Sequence, residues 1–71
     1  MNHTIVLTDE RDGKTTIIYV TSDEHGDVND ILFDAFLNET WEDEQGQQPA
    51  NLTEDWNNNW ATAELINTTA A

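Results

Sequence analysis

The sequence predicts an α+β fold: a β-hairpin, an amphipathic acidic helix, then a short helix and a third strand on the same small antiparallel sheet. Three observations carry this. Two runs rich in β-branched residues, as strands are, flank an Asp-Gly pair. Apolar residues then recur at helical spacing from Val28 to Phe36. After Pro49 apolar positions return, first at helical spacing and then alternating. The 71 residues make one domain, short enough to bury only a modest fraction of its surface. With no cysteine, neither disulfides nor a thiolate metal site can staple it. Hydrophobic content is 37%, below the usual globular range, but three Trp, two Phe and one Tyr provide large side chains for a small core.

The hairpin spans about residues 3–21, from His3–Asp9 (HTIVLTD) to Lys14–Thr21 (KTTIIYVT). Asp12-Gly13 suits a two-residue type I′ turn, which needs positive φ at both central positions. That turn pairs Arg11 with Lys14, Leu7 with Ile18 and Ile5 with Val20. Ile5, Leu7, Ile18 and Val20 then share a core face. The opposite face carries Val6, Ile17 and Tyr19 and needs a cover: the C-terminal segment, a second copy or a partner.

The acidic helix spans about 22–38. Thr21-x-x-Glu24 forms a capping box and Asp27 offers a second start. Val28, Ile31, Leu32, Ala35 and Phe36 follow the i, i+3, i+4, i+7, i+8 template, which leaves Asp27, Asp30 and Asp34 on the opposite face. Periodicity is lost over 39–50, an acidic loop with Gly46 and Pro49, anchored by Trp41 alone. Asn51-x-x-Glu54 is another capping pattern. Leu52, Trp56 and Trp60 then favour a helix over about 52–59, read as core residues, while Trp41 reads as core or binding patch alike. A strand over about 61–66 follows and covers the hairpin edge; the alternative is one helix over 52–66. Residues 67–71 read as a frayed tail.

Charge is the outlying property. Fifteen acids against two bases leave a formal charge of −13, and twelve acids but no base follow Lys14. A small domain is well served by a net charge of magnitude about 2–8, so this chain carries self-repulsion that calls for a reason. The surface repels nucleic acid and anionic membrane and attracts basic proteins, so direct nucleic-acid binding is excluded. The N-terminus lacks a basic region followed by a long apolar run, which predicts no signal peptide and a cytoplasmic location. No apolar stretch approaches the roughly 20 residues of a membrane span.

The same residues argue against catalysis. Paired carboxylates need a cleft that separates their pKa values, and neither His3 nor His25 sits in a nucleophile motif. Asp23, Glu24, His25, Asp27 and Asp30 lack the spacing and trailing Glu of a calcium loop. No cofactor and no metal are expected. The four Asn-x-Thr sequons, at Asn2, Asn38, Asn51 and Asn67, reflect abundant Asn and Thr. A binding role is left for the acids: Asp23, Glu24, Asp27, Asp30 and Asp34 on the helix side, and Glu39, Glu42, Asp43 and Glu44 in the loop. Helical rise spaces Asp27, Asp30 and Asp34 roughly 5 to 6 Å apart along the axis. DNA carries one charge per roughly 3.4 Å of axis on each strand. A carboxylate row plus the loop thus approximates a phosphate track.

Length, acidity, a hairpin followed by an acid-studded helix, and the segment Thr40-Trp-Glu-Asp-Glu44 resemble the small phage-encoded nucleic-acid mimics, the anti-restriction and anti-CRISPR inhibitors. The stretch VTSDEHGDVNDILFDAFLNETWEDE is similar in layout to one family of inhibitors of RNA-guided DNA nucleases. The resemblance implies a non-enzymatic inhibitor. Its partner would be a basic nucleic-acid-binding protein, a CRISPR effector complex or a restriction enzyme, whose DNA cleft it blocks. Two rivals stand beside it: a halophilic domain whose acidity serves solubility, and a module that dimerises through Val6, Ile17 and Tyr19.

Overall fold

A computed structural model describes residues 1–24 and 26–70; His25 and Ala71, and with His25 the grouping around it, lie outside the described residues. The chain forms an α+β fold in the order β1 (Asn2–Asp9), β2 (Thr15–Thr21), α1 (Val28–Asn38), β3 (Trp41–Asp43), α2 (Ala50–Asn57) and β4 (Ala61–Thr69). The four strands make one antiparallel sheet in the order β3-β2-β1-β4. The expected strand beside the hairpin is present as β4, along β1.

The hairpin register differs from the expected one by two residues: Ile5 faces Ile18, Leu7 faces Thr16 and His3 faces Val20. A type I′ turn requires positive φ at Asp12, and only Gly13 of the pair has it, at 75°. The loop is longer instead, with the Asp9 N–H donating to Lys14 O and the Gly13 N–H to Asp9 O, both 2.8 Å. Arg11 accounts for the preference. From this loop its guanidinium donates to Asp9 Oδ1 and Oδ2 and to Asp55 Oδ2 on α2, at 2.9–3.0 Å, and lies 5.0 Å from the Trp60 ring centroid. A two-residue slip keeps every side chain on its own face, so Ile5, Leu7, Ile18 and Val20 still form the core face, each 2% exposed or less.

Helix α1 starts later than expected. Thr21 is a strand residue paired with Asn2, so the Thr21 capping box is not used. Asp27 caps instead, with extended backbone and its Oδ1 accepting the Asn29 N–H at 3.0 Å. Ser22 fastens the link: its backbone bonds that of Met1 in both directions, and its hydroxyl accepts the Glu24 N–H and donates to Asp34. Ile31, Leu32 and Ala35 are buried against the sheet, as their spacing predicts.

The expected acidic loop contains a strand. Trp41, Glu42 and Asp43 pair with Val20, Tyr19 and Ile18, and Trp41 is a buried core residue. Gln48 Nε2 donates to the carbonyls of Glu39 and Trp41, and the Asp43 N–H bonds Gln47 O, so this segment is tightly folded. Helix α2 begins at Ala50 after Pro49, without the Asn51 cap. Trp56 packs against the core, whereas Trp60 is 46% exposed beside Arg11 rather than buried. The tail is ordered through Thr69. Asn67, Thr68 and Thr69 pair with Thr4, His3 and Asn2 beyond an irregularity in register at Thr4/Ile5, and Thr68 Oγ1 lies 2.9 Å from the buried His3 Nδ1. Strand β1 begins at Asn2 and so presents an unpaired edge along which β4 continues pairing.

Both helices pack on the face of Ile5 and Leu7. Strand β4 lies beside β1 rather than across the other face, so Val6, Ile17 and Tyr19 remain uncovered among the described residues.

Candidate protein-binding surface

The acids divide into those bonded within the fold and those facing solvent. Asp9 and Asp55 hold Arg11, whose hydrogen bonds keep the Asp9 carboxyl at a pKa of about 2, below its ordinary range. Asp34 is half-buried: it accepts from the Ser22 hydroxyl at 2.8 Å and the Asn38 amide at 3.0 Å. Asp43 is buried, and its Oδ1 accepts the Gln45 and Gln47 N–H groups at 2.9 Å. Two of the nine predicted surface acids, Asp34 and Asp43, are therefore drawn into the fold, and a third, Asp27, caps α1 through its Oδ1 while staying exposed.

The seven besides Asp34 and Asp43 are exposed but do not form one surface. Asp23 and Glu24 lie on the β2–α1 link, Asp27 caps α1 and Asp30 stands in its first turn, where acids also suit the positive end of the helix dipole. Glu39 stands at the far end of α1. Glu42 is opposite Tyr19 and so belongs to the uncovered sheet face, away from both helices. Glu44 is in the turn after β3. The structure brings together Asp23, Glu24, Asp27 and Asp30 by chain proximity and separates Glu42 from them by the thickness of the sheet.

Two features of this region lie outside the sequence reading. Phe33 and Leu37 are 63% and 70% exposed on α1. At roughly 100° per residue they fall opposite Ile31, Leu32 and Ala35, beside Asp30. Their signal was present: they are apolar yet fit no position of the core template. Glu39 is the second, with φ 57° at the C-cap of α1. Left-handed backbone favours Gly or Asn and is strained for a residue such as Glu.

Among the described residues, no three His, Asp or Glu side chains gather as a metal cluster, and no helix is long and apolar enough to cross a membrane. Comparison with protein-family models, with curated proteins and with solved structures returned no match to this chain.

Proposed function

We propose that the protein is a non-enzymatic inhibitor that mimics nucleic acid and blocks the DNA-binding cleft of a host defence nuclease complex, of anti-CRISPR or anti-restriction type, in the host cytoplasm. One observation carries the reading: exposed carboxylates at Asp23, Glu24, Asp27 and Asp30, with no Lys or Arg among them, on a link and helix end held by Ser22 and the Asp27 cap. A target surface whose Lys and Arg are positioned for phosphates accepts such a row. The partner is a basic nucleic-acid-binding protein, and no cofactor takes part. Glu39, Glu42 and Glu44 add long-range attraction that salt screens.

The test is capture from a host lysate followed by elution with duplex DNA. The expected result is a DNA-binding protein that is released by DNA and is lost when Asp27 and Asp30 are both changed to Asn. Capture that DNA does not reverse contradicts the mimicry.

The uncovered sheet face favours a second reading, a homodimer through Val6, Ile17 and Tyr19. Light scattering decides it: a monomeric mass across concentration removes the dimer.

A further inference from the structure

A groove of about 660 Å³ runs between α1 and α2. Its floor is aromatic: the Phe36 ring meets Trp41 and Trp56 edge-on at centroid distances of 5.1 and 5.2 Å. The exposed Phe33 and Leu37 form one wall. Glu39 and Glu54 stand among the lining residues, and both are exposed.

We infer that this groove docks a basic amphipathic helix of a partner protein, with one bulky apolar side chain over Phe36 and flanking Lys or Arg on Glu39 and Glu54. Charge complementarity selects the occupant. Helix-in-groove recognition needs an apolar anchor, which Phe33, Leu37 and the aromatic floor receive, and the acidic rim sets the sign of the flanks. A second copy of the chain brings another −13 to the same rim and is opposed by it. Glu39 adds an independent argument. It holds a carboxylate at the groove in a strained backbone conformation that Gly would adopt freely, and such strain gathers at functional positions. The groove does not depend on nucleic-acid mimicry, because it adds an apolar contact that phosphate replacement does not require.

The experiment titrates the full chain with two synthetic peptides. One is a helical Leu/Lys peptide with Leu at i, i+3, i+4 and i+7; the other has the same charge with every Leu replaced by Ser. Trp fluorescence and the Trp41 and Trp56 indole NMR signals report occupancy of the groove. The Leu/Lys peptide should shift both indoles and still bind when salt is raised from about 50 mM to about 500 mM, while the Ser/Lys peptide is lost by screening. The F33Q/L37Q variant keeps the fold, since both side chains are exposed and Gln is a good helix former. It should weaken the Leu/Lys peptide about tenfold or more and leave Ser/Lys binding at low salt unchanged. Equal binding of the two peptides, or full-strength Leu/Lys binding by F33Q/L37Q, overturns the inference. So does a concentration-dependent dimer that F33Q/L37Q abolishes, which would assign the groove to a second copy. D27N/D30N tests the mimicry separately: loss of DNA-competed capture, with groove binding by the Leu/Lys peptide retained, keeps the two readings distinct.

Discussion

The first turn of α1 and the β3 segment look alike in sequence, each dense in acid and free of base, yet they hold their charges differently. In α1 the carboxylate nearest the core, Asp34, is bonded to Ser22 and Asn38, while Asp30 faces solvent. In β3 alternation decides: Glu42 points outward and Asp43 inward, where it accepts two loop N–H groups. Acid density therefore does not measure available charge. The backbone period does, because it selects which members of a run meet water and which meet orphan donors.

The comparison can be broken most severely at Asp43. Asp43→Ala leaves the Gln45 and Gln47 N–H groups without their acceptor and should cost about 1–3 kcal/mol in urea unfolding, with Asp43→Asn milder because one oxygen remains. Asp34→Ala should cost roughly 1 kcal/mol, since it removes the Ser22 and Asn38 bonds from a half-buried site. Glu39→Gly has the opposite sign: relief of left-handed backbone should raise stability by up to about 1 kcal/mol while weakening groove binding. Smallest of all, Asp30→Ala should stay within about ±0.5 kcal/mol, as an exposed position does whose side chain bonds nothing among the described residues.

Acid titration probes the same division at the hairpin. The Asp9 pKa is lowered from 3.8 to about 2 by Arg11, so its bond to Arg11 favours the folded state above about pH 4 and is lost as pH falls toward 2. Arg11→Ala should remove that component from thermal unfolding followed between pH 4 and 2. Lys14→Ala, which touches no such pair, should leave it in place.

The fold class was legible because its signals are periodic. Alternating β-branched runs gave the faces of β1 and β2, and the spacing of Ile31, Leu32 and Ala35 gave the buried side of α1. What stayed illegible depended on partners distant in sequence. The turn length answers to Arg11 reaching Asp55, 44 residues away, and the order of the tail answers to the edge of β1. Strand β3 is three residues long, too short for alternation to show, and exists because β2 offers it an edge. The exposure of Asp23, Glu24, Asp27 and Asp30 was legible in the sequence. The burial of Asp43 and the half-burial of Asp34 were not, because no composition reveals their bonds to the Gln45 and Gln47 amides and to Ser22. Phe33 and Leu37 were overlooked because the template accounted for the core without them.

The central claim is that fixed carboxylates on the α1 side, rather than total charge, replace phosphates. The direct measurement compares D27N/D30N with E42Q/E44Q, each two charges poorer, in affinity for the DNA-binding protein recovered by DNA-competed capture. The account predicts at least about a tenfold larger loss for D27N/D30N, the equivalent of about 1.4 kcal/mol. Equal losses for the two variants, or a larger loss for E42Q/E44Q, contradict it.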